Sequence, residues 1–251
     1  MSGHSHWATV KRRKGAADAK KGKIFTRLAR EIVIAAREGG GDPSMNVRLE
    51  LAIDRAKSSN MPKDSIERAI KRGTGEDKEG VSFEEILYEG YAANGVALMI
   101  ECVTENRNRT VAELRHVLSR AGGSMGDPGS VSWQFDRMAY FAIDGDAHDF
   151  DSIFEIALEA GADDIKQEDD LIEIYGMPNN YHVIADHLSK ANIKLEESGI
   201  RFLPKQEISL DVEKTVKVMK TIELVEELDD VQNIYSNLDV TEEAIQAMDI
   251  D

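Results

Sequence analysis

The fold is decided by residues 139–203, which read AYFAIDGDAHDFDSIFEIALEAGADDIKQEDDLIEIYGMPNNYHVIADHLSKANIKLEESGIRFL. Short apolar runs predict strands at 139–143, 163–167, 171–175 and 194–203. Apolar residues spaced three and four apart predict helices at 150–160 and 178–191. The order strand, helix, strand, strand, helix, strand is that of a ferredoxin-like unit. We therefore predict a ferredoxin-like α/β domain over residues 137–204.

The segments on either side of this domain also mix strands and helices. Before it, the pattern predicts strands at 85–91, 96–103 and 131–135 and a helix at 109–119. After it, the pattern predicts strands at 206–210 and 231–235 and a helix at 212–228. We expect these elements to form one discontinuous α/β domain, 81–136 and 205–238, into which the ferredoxin-like domain is inserted. The last segment, 239–251, is predicted to be an acidic C-terminal tail.

The N-terminal part of the chain is predicted to be helical. Helical periodicity runs from Lys23 to Glu38 and stops at three consecutive glycines, and Pro43 and Pro62 mark the starts of two further helices. Residues 23–75 therefore form a helical domain, preceded by a mobile basic tail at 1–22. The predicted fold class is α+β, with an N-terminal helical domain and two α/β (ferredoxin-like) domains, the third inserted into the second.

Charge is strongly segregated along the chain. Residues 1–30 hold nine basic residues and one acid, whereas the whole chain has a formal net charge of −16. Residues 73–251 hold 14 basic and 39 acidic residues. A segment that opposes the charge of its own protein either binds a polyanion or is held against the acidic remainder. Nucleic acid is the partner we expect first.

The first helix extends this basic segment. At about 100° per residue, its cations fall in one sector opposite the apolar stripe. The predicted nucleic-acid-binding residues of the tail and this helix are Trp7, Lys11, Arg12, Arg13, Lys14, Lys20, Lys21, Lys23, Arg27, Arg30 and Arg37. Trp7 would either stack on an exposed base or anchor the tail to the first domain.

A secondary contact is predicted at the start of the 109–119 helix. Arg107 and Arg109 would bind a phosphate there together with backbone amides. The alternative is a capping cluster that pairs with Glu105 and Glu113. A helix-turn-helix around Ser59 to Met61 is less favoured than a plain three-helix bundle, because acids adjoin its cations.

Other classes of function find little support in the sequence. The single cysteine, Cys102, lies in an apolar run and fits core packing in a reducing cytoplasm. No spacing of a nucleophile and a base stands out, so we predict no catalytic residues, no metal and no cofactor. No apolar run is long enough for a membrane span, and the predicted location is cytoplasmic. The glycine-rich segment 122–129 matches no nucleotide-binding motif and is predicted to be a mobile loop.

Six short motifs stand out along the chain: Gly3-His4-Ser5-His6-Trp7, the run FTRLAREI at 25–32, NMPKDSIERAI at 60–70, Tyr88-Glu89-Gly90-Tyr91, Asn106-Arg107-Asn108-Arg109-Thr110 and Gly129-Ser130-Val131. Together they resemble the YebC/PmpR family. The resemblance implies a helical domain and two α/β domains around a cleft. It also implies a cytoplasmic DNA-binding transcriptional regulator, with mitochondrial relatives that activate translation.

The function expected from residues and resemblance together is a non-enzymatic nucleic-acid-binding regulator of gene expression. DNA-binding transcriptional regulation is the first expectation, and a ribosome- or RNA-associated translation factor is the close alternative. An enzyme that uses the interdomain cleft is a remote one. The acidic α/β body is expected to contact a protein partner.

Overall fold

The computed structural model describes residues 21–76, 83–168 and 171–248. In chain order the helices are α1 Lys21–Gly39, α2 Val47–Ser58, α3 Lys63–Gly73, α4 Arg107–Arg120, α5 Phe150–Glu159, α6 Tyr181–Lys190, α7 Val212–Glu226 and α8 Glu242–Met248. The strands are β1 Glu84–Tyr91, β2 Ala97–Thr104, β3 Ser124–Met125, β4 Phe135–Asp144, β5 Asp164–Glu168, β6 Leu171–Gly176, β7 Leu195–Pro204 and β8 Val231–Ser236. None of the helices in the described part of the chain is long and apolar enough to cross a membrane.

The predicted fold class is confirmed. The chain separates into two compact units, and the second of them, Asp136–Leu203, interrupts the first. The sheet of unit 1 has the order β3-β1-β2-β8, so its last strand is supplied after the interruption. The sheet of unit 2 has the order β5-β6-β4-β7, which is the ferredoxin-like arrangement.

The helical domain is a three-helix bundle within unit 1. Asn46 begins α2: its side-chain oxygen accepts from the backbone N–H of Leu49 at 3.1 Å, and its amide donates to the Ala35 carbonyl at 2.8 Å. The apolar faces of the three helices share a core that also includes Phe83 and Val103. The bundle is therefore packed against the β-sheet of unit 1 rather than standing apart from it.

Gly73 allows α3 to approach α1 closely. A Cβ at this position would lie 2.5 Å from the Val33 carbonyl oxygen and 2.7 Å from the Ala36 Cβ. We expect Gly73→Ala to lower the free energy of unfolding by about 1–3 kcal/mol, because the backbone of α1 must shift. Gly22→Ala is the matched control, since nothing lies within 4 Å of its Cβ. Urea denaturation of both variants would measure the difference, and equal stabilities would show that the close approach is not needed.

Helices α4, α7 and α8 cover one face of the unit 1 sheet. Leu98 and Ile100 of β2, Leu114 of α4 and Ile222 of α7 belong to one buried apolar cluster. Ile245 of α8 belongs to it as well. Residues 242–248 are thus part of the folded unit, and the predicted acidic tail at 239–251 is wrong for them because they form a helix that buries Ala244 and Ile245. Residues 249–251 lie outside the described part of the chain.

Two predicted strands of unit 1 are not formed. Residues 132–134 form a 3-10 turn instead of a strand, and β4 begins only at Phe135. Residues 206–210 contribute one isolated bridge, from Ile208 to Leu238. In the first case the buried Glu89 carboxylate accepts from the backbone N–H groups of Val131 and Ser132, which a strand would have used for pairing.

Candidate nucleic-acid interface

The cationic face of α1 contacts the end of α7. Lys23 Nζ donates to the Glu227 carbonyl oxygen at 3.0 Å, and Arg27 Nη2 donates to the Glu226 carbonyl oxygen at 2.8 Å. Arg30 Nη1 donates to the carbonyl oxygen of Asp229, just beyond the helix. The last carbonyls of an α-helix lack partners within the helix and carry the negative end of its dipole. Three cations of α1 therefore cap and neutralise the C-terminal end of α7.

Asp230 is the centre of this contact. Its carboxylate is 1% exposed and lies 3.1 Å from Arg30 Nη2 and 2.9 Å from Arg109 Nη2. The hydroxyls of Thr104 and Thr110 donate to it at 2.9 and 2.7 Å. Burial alone would raise the pKa of Asp230, but these hydrogen bonds and Arg30 outweigh burial and hold the pKa below its ordinary value. A charged, fully bonded carboxylate thus joins α1, α4 and the segment before β8.

The structure separates the predicted residues of α1 by their surroundings. Arg30 is buried and Arg27 is half-buried, whereas Lys23 and Arg37 are exposed. Arg37 Nη1 donates to the Phe83 carbonyl oxygen. The sequence left two explanations for the basic segment, binding to a polyanion or contact with the acidic remainder of the chain. The contacts of α1 are of the second kind. Trp7, Lys11, Arg12, Arg13, Lys14 and Lys20 lie outside the described residues, and Lys21 begins α1.

Arg107 and Arg109 are engaged with acids. Arg107 Nε donates to Glu84 at 2.7 Å, and Arg109 pairs with Glu105 at 3.6 Å in addition to Asp230. The side chain of Asn106 caps α4 by accepting from the Arg109 backbone N–H at 3.1 Å. The Asn106 cap and the Arg109–Glu105 pair match the capping cluster predicted as an alternative to phosphate binding, but Glu84 and Asp230 are the other acid partners in place of the expected Glu113.

Sequence reasoning missed a cationic face of α4. Ala112, Arg115, His116, Ser119 and Arg120 recur three and four residues apart along this helix, and all five are exposed. Arg115 and Arg120 are exposed, and neither makes an ion pair with another described residue. The sequence does contain an indication of this surface. No acid occurs between Glu113 and Asp127, although the region around that stretch is strongly acidic.

The turn between β3 and β4 is ordered by Glu89, although the sequence predicted a mobile loop at 122–129. The buried Glu89 carboxylate accepts from the backbone N–H groups of Gly129, Val131 and Ser132 at 2.7, 2.7 and 2.9 Å. Burial alone would raise the pKa of Glu89, but these three hydrogen bonds outweigh it, and the pKa lies below its ordinary value of 4.5. Gly129, with φ of 89°, supplies the left-handed backbone that the turn needs.

Glu89→Gln should destabilise the protein at neutral pH by about 1–3 kcal/mol, because one oxygen acceptor becomes an amide donor that faces backbone N–H groups. The pKa in the folded state is depressed, so the carboxylate contributes fully above the ordinary value of 4.5 and loses its contribution as pH falls through the folded-state pKa. The difference between the variant and the parent should therefore shrink in acid. Urea denaturation across a pH series measures it, with the exposed Glu85→Gln as control. A difference that does not change with pH would contradict the assignment.

Cys102 is unsuited to nucleophilic chemistry. It is fully buried, and burial, assisted by Asp230 and Glu101, raises the pKa of its thiol to about 12. Within the described residues, no group of three or more His, Cys, Asp or Glu side chains is placed to hold a metal ion.

A helical domain followed by two α/β domains, the second interrupted by the third, defines the class of protein. The family model for the TACO1/YebC N-terminal domain matches residues 5–76, and the model for the TACO1/YebC second and third domain matches residues 83–238. The chain belongs to the TACO1/YebC family.

Its relatives match along their whole length. A protein of Geobacter sulfurreducens named "probable transcriptional regulatory protein" is 48% identical over 248 residues, covering 99% of this chain and 100% of the relative. A protein of Acidithiobacillus ferrooxidans with the same name is 50% identical over 249 residues, covering 99% of each chain. The crystal structure of a conserved hypothetical protein from Aquifex aeolicus is similar with a TM-score of 0.81 at 41% identity, covering 90% of this chain and 93% of that one.

Proposed function

We propose that this protein is a non-enzymatic nucleic-acid-binding regulator of gene expression, and that it acts as a DNA-binding transcriptional regulator in the cytoplasm. The observation that carries the proposal is the concentration of basic residues at the N-terminus of a chain whose net charge is −16. The names of the full-length relatives support the regulatory role.

The proposed contact surface differs from the helix stripe expected at first. Arg30 and Arg109 are committed to Asp230, so we leave them out of it. The tail cations, with Trp7 and Lys21, form the main contact. Lys23 and Arg37 extend it along α1, because both stay exposed while each donates to a backbone carbonyl oxygen of this chain. The exposed α4 face that carries Arg115 and Arg120 adds a second cationic surface on the α/β body.

This arrangement explains how the protein would bind. Each cation that neutralises a phosphate releases counterions, so affinity falls with salt. Such contacts hold the protein on nucleic acid without reading sequence. The acidic body repels phosphates elsewhere and so restricts the orientations in which the tail can engage.

Competition between duplex DNA and ribosomal RNA for the full chain, at one salt concentration, tests the transcriptional form of the proposal. Preferred binding to particular DNA sequences supports it. Stronger binding to the RNA, with no preferred DNA sequence, would instead assign the protein to translation on the ribosome. That second candidate is favoured by a tail rich in lysine and poor in side chains that read base edges.

A further inference from the structure

Trp133 presents its ring to solvent in the turn before β4. The side chain is 68% exposed, an unusual setting for the largest apolar side chain. It is one of only two tryptophans in the chain. An isolated exposed apolar residue needs no explanation when it is merely unconstrained. Trp133 differs from such a residue because hydrogen bonds hold its side chain in place.

Hydrogen bonds fix the ring and its turn. Trp133 Nε1 donates to the Ser130 carbonyl oxygen at 3.0 Å, and the Tyr91 hydroxyl donates to the same oxygen at 2.9 Å. The backbone of Gln134 donates to the Val131 carbonyl oxygen and accepts from the Lys205 N–H, at 2.9 and 2.8 Å. Together with the Glu89 carboxylate, these bonds hold the indole outward. The ring is therefore organised before any partner arrives.

The part of the Trp133 ring that can still contact a partner is its aromatic face. Its only hydrogen-bond donor is used within the turn, so the ring offers stacking without reading a base edge. Lys205 Nζ donates to the Trp133 carbonyl oxygen at 3.0 Å, which places a positive charge at the backbone of the residue that carries the ring. None of the flanking residues 126–132 and 205–210 is an exposed large hydrophobic side chain, so Trp133 does not belong to a continuous exposed apolar run along the chain.

We propose that Trp133 is a stacking platform for one unpaired nucleobase of a single-stranded nucleic acid, with the Lys205 ammonium next to the adjoining phosphate. This inference rests on the proposed nucleic-acid-binding function and adds that the nucleic acid bound is single-stranded. An aromatic face beside a cation is the arrangement by which proteins bind single strands without sequence preference.

Fluorescence titration tests the platform directly. In full-length protein carrying Trp7→Phe, Trp133 is the only tryptophan, so its emission reports on its own ring. We expect short single-stranded RNA and single-stranded DNA to quench this emission, and duplex DNA to leave it unchanged. Comparing oligouridine with oligothymidine separates an RNA target from any unpaired base.

Binding by variants measured with labelled oligonucleotides provides the second readout. Trp133→Ala should weaken single-strand binding roughly 5- to 150-fold, whereas Trp133→Phe should retain most of it because a ring remains. The salt slope should not change, since no charge is removed. Leu224→Ala is the matched control, because Leu224 is another large apolar side chain of unit 1 and is 52% exposed.

The outcomes separate this inference from the proposed function. If the Trp7→Phe protein binds nucleic acid, but its Trp133 emission is not quenched, and Trp133→Ala binds as well as the parent, the platform is overturned and the function stands. Binding of the parent to none of the three nucleic acids would overturn both. Quenching by single strands together with loss of binding in Trp133→Ala supports both.

Discussion

Replacing Asp230 with alanine should lower the free energy of unfolding by about 3–5 kcal/mol, because removing one partner of a buried ion pair leaves the other charge uncompensated. Here two guanidinium groups would lose their carboxylate, those of Arg30 and Arg109. The hydroxyls of Thr104 and Thr110 would lose their acceptor as well. Urea denaturation followed by circular dichroism measures the loss.

The neighbouring Asp229 provides a matched control. Its side chain is exposed, and its contribution to the α1 contact is the backbone carbonyl oxygen that accepts from Arg30. Asp229→Ala removes the same charge one residue away and keeps that carbonyl, so we expect a change within about 0.5 kcal/mol. Equal effects of the two substitutions would show that general charge, rather than the Asp230 cluster, stabilises this part of unit 1.

Replacing Lys11, Arg12, Arg13 and Lys14 together with alanine should flatten the dependence of binding on salt. Each contact with a duplex phosphate contributes about 0.9 to the slope of log K against log salt, so four contacts contribute up to about 3.6. Affinity should fall most at low salt, where the counterion term is largest. Titration of duplex DNA at several salt concentrations measures the slope.

Helix α3 offers a control with the same change in charge. Lys63, Arg68, Lys71 and Arg72 are all exposed and belong to the same helical domain. They are also the residues that a helix-turn-helix would direct at DNA. We expect their replacement with alanine to leave the slope near that of the parent. If the salt dependence of binding became weaker in the α3 variant and not in the tail variant, the interface would lie on α3 instead.

The order of elements was predictable because it depends on local pattern. Apolar spacing located α1, the hairpin of β1 and β2, and every helix and strand of unit 2 to within a few residues. The sequence predicts a tail at 242–248 because a seven-residue helix with acids in its first turn carries little apolar signal. Its burial depends on a cluster formed by distant segments.

The roles of individual charges were less predictable, because a helical wheel shows which side chains share a face and not what covers that face. The cations of α1 contact carbonyl oxygens about 200 residues away in sequence, at Glu226, Glu227 and Asp229. Glu89 likewise organises a turn 40 residues further along the chain. Trp133 appears in the sequence as part of an apolar strand, and only the turn held by Glu89 turns its ring to solvent.

Crosslinking in living cells, followed by sequencing of the attached nucleic acid, tests the central claim most directly. The parent protein should recover a reproducible set of nucleic-acid fragments, and the variant lacking the four cations at 11–14 should recover far less at equal abundance. Recovery of DNA or of RNA identifies the polyanion. Recovery at background level from the parent, or equal recovery from the parent and the tail variant, would contradict a nucleic-acid-binding regulator that acts through its basic tail.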